Sequence, residues 1–219
     1  MQTHVPTIFI GAIRSMPDDG RPTGIFKEPV RGPVWLDTDG FAGDHQADRR
    51  VHGGPEKAVH LFPVEHYRRL RARFPSAAGG LVAGAMGENL TSQGLDEGAV
   101  GIGDVFALGS AELQVSQPRS PCWKIDVRHG VEGMAAFIEA EGMAGWYFRV
   151  LRPGRVQPGD TLVRIARNPD PVSLKCFWEV RKATRPSLAL LRRVADTPGL
   201  TPDWQRRLLQ RAQWLQDNT

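Results

Sequence analysis

The sequence predicts a mainly β protein, a barrel or sandwich of short strands, followed by a small helical module. Over residues 1–167, short apolar or alternating runs are separated by Gly/Pro-rich turns. The segment "RNPDPVS", residues 167–173, carries two prolines and little apolar content, which marks a boundary. Beyond it the pattern turns helical. We therefore expect domains of residues 1–167 and 168–219. A chain of 219 residues, 41% apolar and 24% charged, has room for one large globular domain with an appendage.

The elements follow in order. "TIFIGAI" is an apolar strand, and "AVHLF" is another. "VEHYRRLRARF" reads as a helix that stops before Pro75. "GDVFALG" and "AELQVSQ" alternate well enough to form a hairpin around Gly109-Ser110. "EGMAAFIEAEG" is a short helix closed by Gly142. "GWYFRVLRPG" and "PGDTLVRIAR" read as a final strand pair joined by a Pro/Gly-rich loop. Three helices complete the chain: "SLKCFWEVRKA", "PSLALLRRVAD" and "TPDWQRRLLQRAQWLQ". Thr201 suits the N-cap of the last, Pro202 its first position, and Asp203 the positive end of its dipole. Helices this short must pack on one another and on the preceding domain.

Composition excludes several classes. The N-terminus lacks the basic and apolar regions of a signal peptide, and no run is long enough for a membrane helix. With Cys122 and Cys176 as the only thiols, neither a disulfide framework nor a four-thiolate cluster can form within one chain. We expect a cytoplasmic protein with reduced thiols. Residues 172–219 hold nine Lys/Arg against four Asp/Glu, whereas residues 1–171 hold nineteen against twenty. The basic tail reads as a solvated helical surface or a docking face for an acidic partner. No nucleic-acid motif accompanies it. Cys176, on the first tail helix, reads as core.

"SQPRSPCWK" carries the sharper signal. Cys122 follows a proline, with Arg119 three residues upstream. It reads either as a buried small hydrophobe or as a reactive sulfur. Pro121 favours a helix start, and a thiol at a helix N-terminus near a guanidinium should ionise more readily. In "GDHQADRRVHGGPEKAVHLF", Asp44, His45, Asp48, His52, Lys57 and His60 crowd together, and Gly53-Gly54-Pro55 forces a tight turn. Solvated charges, a metal site and an anion site cradled by turn N–H groups all remain open there. "GAMGENL" places Asn89 after a glycine and a glutamate. Its amide could read a heterocycle edge, or simply sit in a turn.

Four blocks, "GDHQADRRVHGGPEKAVHLFP", "GAMGENLTSQGLDEGAVGIGDVF", "QPRSPCWK" and "GWYFRVLRPGRVQPGDTL", resemble in order and spacing a MOSC domain, the molybdenum-cofactor-sulfurase C-terminal module, of the YiiM type. The resemblance covers about residues 5–167, and the tail resembles the three-helix domain of that subtype. It implies a closed β-barrel related to the pyruvate-kinase barrel domain. It also implies that Cys122 ligates molybdenum in a molybdopterin cofactor, in a reductase of N-hydroxylated compounds such as 6-hydroxylaminopurine. Thiolate suits such a metal. Arg119, Ser120, Asn89, Gly53, Gly54, Lys57 and Arg149 are the cofactor-binding candidates, with Arg favoured for bidentate phosphate contact. His52 or His45 could supply protons near neutrality. Trp123, Trp146 or Tyr147 could stack on a purine or pack in the core.

Reduction of N–OH to an amine and water takes two electrons and two protons. The chain shows no flavin or nicotinamide fingerprint, so a separate electron-donor reductase is expected as partner. The alternative is a persulfide carrier, with Cys122 delivering sulfur to a cofactor or metal centre. We expect no direct binding to membrane or nucleic acid. A homodimer remains open.

Overall fold

A computed structural model describes residues 1–5 and 7–218 of the chain. The strands are Gln2–His4 (β1), Phe9–Ile10 (β2), Arg14–Ser15 (β3), Pro22–Thr23 (β4), Glu28–Pro29 (β5), Val34–Asp37 (β6) and Gly40–Phe41 (β7). They continue with Val59–Pro63 (β8), Leu90–Ser92 (β9), Val105–Leu108 (β10), Ala111–Pro118 (β11), Trp146–Arg152 (β12), Gly154–Val156 (β13) and Thr161–Ala166 (β14). The α-helices are Arg49–His52 (α1), Glu65–Arg73 (α2), Lys124–His129 (α3), Met134–Glu141 (α4), Leu174–Lys182 (α5), Leu188–Ala195 (α6) and Pro202–Asp217 (α7).

Seven strands form one sheet in the order β1-β14-β10-β11-β12-β8-β9. All its pairs are antiparallel except β8–β9. The sheet curls until its edges almost meet. There the Thr3 hydroxyl donates to the Gln93 carbonyl (2.8 Å) and accepts from the Gln93 amide (3.1 Å). A nearly closed barrel results, as the resemblance implied.

Alternation along the strands places the residues that matter. On β12, Trp146, Phe148 and Val150 enter the barrel core, which sends Tyr147 and Arg149 to the other face. On β8, Val59 and Leu61 enter the same core, while Phe62 joins a second apolar cluster with Tyr67, Leu70, Ile138 and Trp178. Both faces of β8 are thus covered, and all five of its residues are buried. The three tail helices complete the barrel core: Leu174, Phe177, Val194 and Leu208 pack in one continuous cluster with Val100, Phe106 and Val115. Ser173 caps α5 by accepting from the Cys176 amide at 3.1 Å. Cys176 is a partly buried thiol packed against that cluster, and burial pushes its pKa up.

The hairpin at Gly109-Ser110 forms as expected, with Leu108 opposite Ala111. Gly142 closes α4 in the left-handed conformation, at φ 66°. Three expectations are corrected. The β12 and β14 segments do not pair with each other; β12 lies between β11 and β8, and β14 between β10 and β1. The link between them instead contributes β13, which pairs with β6. Of "TIFIGAI" only Phe9–Ile10 is a strand, because the Gly11 amide turns away to the Asp44 carboxylate at 2.9 Å. The helix expected from Pro121 begins only at Lys124. Cys122 lies in the connection before it, and its carbonyl accepts from the Ile125 amide at 3.0 Å.

β11 carries the irregularity that shapes the site. Val115 lies opposite Phe148 and Gln117 opposite Tyr147, so Ser116 is the extra residue of a bulge. Its hydroxyl reaches the carbonyls of Glu56 (2.6 Å) and Tyr147 (3.1 Å).

Candidate functional site

Cys122 lies at the waist of a two-lobed cleft. His52, Lys57, Cys122 and Tyr147 line both lobes. The first lobe has an empty volume of about 600 Å³ including its open mouth, and the second about 1360 Å³. Lys27, Arg119 and Lys124 face the first lobe, and Arg50 and Arg207 the second.

Arg119 is built into the floor. β11 ends at Pro118, and the Arg119 amide donates to the Gly145 carbonyl at 3.1 Å. Gly145 has φ 69°, and a Cβ there would stand 2.1 Å from the Leu61 carbonyl oxygen, so only glycine permits this approach. The Arg119 residue is 6% exposed and its Nη1 has no hydrogen-bond partner among the described residues. A buried guanidinium N–H left unpaired costs about 1–3 kcal/mol or more, so it marks a position where an acceptor belongs.

The field of these cations is visible on His52, whose pKa falls to about 4 through burial first and then through Arg119, Lys124 and Lys57. His52 is therefore neutral at pH 7, which corrects the expectation that it titrates near neutrality. Burial likewise lowers Lys57 and raises Tyr147. His60 is buried, with Nε2 3.2 Å from the Ala144 carbonyl oxygen, and burial takes its pKa well below the usual histidine value.

Three comparisons bear on this geometry. The family model described as "MOSC domain" matches residues 48–163. The chain belongs to the MOSC domain family. It is 39% identical over 203 residues to "Uncharacterized protein YflK" of Bacillus subtilis, covering 92% of this chain and 90% of that one. It is 40% identical over 163 residues to "Protein YiiM" of Escherichia coli, covering 74% and 72%. A Gibberella moniliformis protein named "Reductase" is 35% identical over 177 residues, which are 80% of this chain but 31% of that protein. Among solved structures, YiiM from Geobacillus stearothermophilus superposes with a TM-score of 0.81 at 31% identity, over 96% of this chain and 99% of the other. The YiiM-type resemblance and the mainly β barrel with C-terminal helices are thereby shown.

The MOSC cleft gathers most of the candidates. Cys122, His52, Lys57, Arg119 and Asn89 line the first lobe; Gly53, Gly54 and Ser120 line the second. Two of them serve otherwise than proposed. The Asn89 side chain is spent on the protein: its carbonyl oxygen accepts from the His60 amide (3.0 Å), and its Nδ2 donates to Phe9 O (3.0 Å) and Asp44 Oδ2 (2.9 Å). Both donors are spent, so the paired donor and acceptor that would read a heterocycle edge is lost. Arg149 lines neither lobe, because Glu56 ion-pairs with it and Gln114 accepts its Nη1 at 2.6 Å. It holds the Pro55–Lys57 turn to the barrel instead. Gly53 is buried, and a Cβ there would meet Gln46 Oε1 at 2.9 Å, so its bareness makes room for Gln46. Trp146 is core, whereas Trp123 is 39% exposed and lines neither lobe, with the Arg21 guanidinium 4.3 Å from its ring centroid.

Four wall residues escaped sequence reasoning. Lys27 is a buried cation held by Asp44, and no local signal marks it. Lys124 was legible, two residues after Cys122 in "PCWK". Trp204 and Arg207 reach the cleft from the tail, because the Thr201 amide donates to the Ser116 carbonyl at 3.2 Å.

Among the described residues, no group of three or more His, Cys, Asp or Glu side chains could hold a bare metal ion. The donor set instead fits a metal that arrives already chelated: one soft sulfur at Cys122 for the metal, and Arg119, Lys27 and Lys124 for an anionic organic ligand. Among the described residues, no helix is long and apolar enough to cross a membrane.

Proposed function

We propose that this MOSC protein is a molybdenum-cofactor-dependent reductase of N-hydroxylated compounds, with the Cys122 sulfur as the protein ligand to the metal. The observation that carries the reading is the unpartnered Nη1 of buried Arg119 in the lobe that Cys122 lines, together with three lysines, Lys27, Lys57 and Lys124. A pterin phosphate supplies the acceptor that this guanidinium lacks.

The chain's own contributions follow from position. Cys122 lines both lobes, so a cofactor held by its sulfur would adjoin the substrate there. Arg119 and Lys124 bind negative charge on the cofactor side. His52, neutral at pH 7, is able to accept a proton on a ring nitrogen and is no resting acid. Lys57 lines both lobes, donates to the Val51 carbonyl at 2.6 Å and has its pKa lowered by burial, and we assign it as the proton donor. When bound, the cofactor supplies two-electron chemistry, matching conversion of N–OH to amine and water with two protons. The electrons come from a separate donor. The Gibberella "Reductase", in which the related stretch is 31% of the protein, supports a reductive role.

The test is elemental analysis with pterin fluorescence on protein from a host that makes the cofactor. We expect molybdenum and pterin in the wild type, and loss of molybdenum in Cys122→Ser. A persulfide on Cys122 by intact mass, without molybdenum, would replace this reading with the sulfur carrier.

A further inference from the structure

Glu97 is a buried carboxylate that lies outside the cleft. It is 5% exposed and lines neither lobe. Its Oε1 accepts from the Gly145 amide at 2.8 Å, and its Oε2 lies 2.8 Å from His66 Nε2. A carboxylate only accepts, so that ring nitrogen carries the proton. His66 is buried as well, in the first turn of α2, with its ring edge-on to Phe62.

The loop that carries Glu97 is pinned on every side. Asp96 Oδ1 accepts from the Gly98 and Ala99 amides, both at 3.0 Å. Leu95 and Val100 enter the barrel core. The Glu97 carbonyl accepts from the Lys175 amide at 2.8 Å, at the start of α5. Barrel, α2 and tail therefore converge on this one carboxylate.

Gly145 passes that position on to the cleft. Its left-handed backbone, at φ 69°, gives its amide to Glu97 and its carbonyl to the Arg119 amide at 3.1 Å. Next to it, the Ala144 carbonyl lies 3.2 Å from His60 Nε2. The turn before β12 is thus gripped by two buried side chains, and Arg119 is tied to it by its backbone. An apolar side chain of the size of Glu97 often serves stability as well or better at such a depth, so what the buried carboxylate adds is a fixed geometry.

We infer that Glu97, oriented by His66, is a positioning residue for the cleft: through Gly145 it sets where the Arg119 guanidinium meets an anion in the first lobe. The inference rests on Arg119 as an anion site, which is one part of the proposed function.

The test uses the full chain without cofactor and inorganic phosphate as the probe, titrated by calorimetry at neutral pH beside thermal melts. Glu97→Ala removes the acceptor of the Gly145 amide and should weaken phosphate binding roughly three- to tenfold, part of the worth of a charge-assisted hydrogen bond. Glu97→Asp is one methylene too short to reach both Gly145 and His66; it should weaken binding likewise, and serves if the alanine variant does not fold. Glu97→Gln keeps an oxygen for Gly145 and should stay within about twofold of the wild type. A purely structural Glu97 would lower Tm and leave phosphate affinity where it was. Wild-type affinity in Glu97→Ala or, where that variant does not fold, in Glu97→Asp would overturn the inference. A loss in Glu97→Gln as large as in Glu97→Asp would do so too, and so would equal phosphate affinity of the wild type and Arg119→Met. Phosphate held through Arg119 in a protein that takes up no molybdenum would sink the reductase reading alone. Molybdenum in the wild type with unaltered phosphate binding in the Glu97 variants would sink this inference alone.

Discussion

The backbone amide of Thr201 donates to the carbonyl of Ser116 at 3.2 Å, so the first residue of the last helix cap is tied to the bulge that leads into Cys122. The Ser116 hydroxyl meets the carbonyls of Glu56 and Tyr147 on the other side. One bulged serine therefore joins the tail, the Pro55–Lys57 turn and β12 at the rear of the cleft. Ser116→Ala should lower stability by about 1–2 kcal/mol, the cost of leaving a buried carbonyl unpaired, and should speed amide exchange at Lys57. Urea melts and hydrogen exchange read both. Unchanged exchange at the turn would show that Arg149 and Glu56 alone hold it.

Arg119→Met separates binding from folding. The guanidinium is buried with one nitrogen unpartnered, so its removal should leave Tm unchanged or raise stability by about 1 kcal/mol. Pterin retention should fall sharply in the same variant. A large drop in Tm would instead make Arg119 a structural residue.

Acid should destabilise the fold through its histidines. His52 has a folded pKa of about 4 against an unfolded value of 6.5, and burial lowers His60 and His129 as well. The unfolded chain then binds more protons than the folded one, so stability is full above about pH 6.5 and declines as pH falls toward about 4. An anion seated beside Arg119 and Lys124 would cancel part of the field on His52 and raise its pKa. Inorganic phosphate should therefore be bound with proton uptake near pH 5, measurable by calorimetry in buffers of different ionisation enthalpy.

Phe177 lies in the cluster that unites tail and barrel and is fully buried. Phe177→Ala should cost about 3–5 kcal/mol. Near-ultraviolet and far-ultraviolet melts of the variant should coincide. Separate transitions would show that barrel and tail unfold independently.

Local chemistry made much of this architecture legible. Gly109-Ser110 between two alternating runs named its hairpin, Gly142 its helix end, and Ser173 and Pro202 the starts of tail helices. Cys122 and Arg119 stood out because they share one short connection. What was hidden depends on partners far away in the chain. Arg149 looked free until Glu56 captured it, and Asn89 looked like a reader of heterocycles until Phe9, Asp44 and His60 used up its amide. Lys27 enters the cleft only through its pairing with Asp44. The tail's basic character suggested an outward-facing surface, and Arg207 is indeed exposed; what the sequence hid is that Trp204 and Arg207 also line the second lobe.

Because residue Cys122 is a party wall between two compartments, what rests in one shares a boundary with what arrives in the other. On the reading proposed for Cys122, a shared wall of this kind would make a swinging arm or shuttle unnecessary.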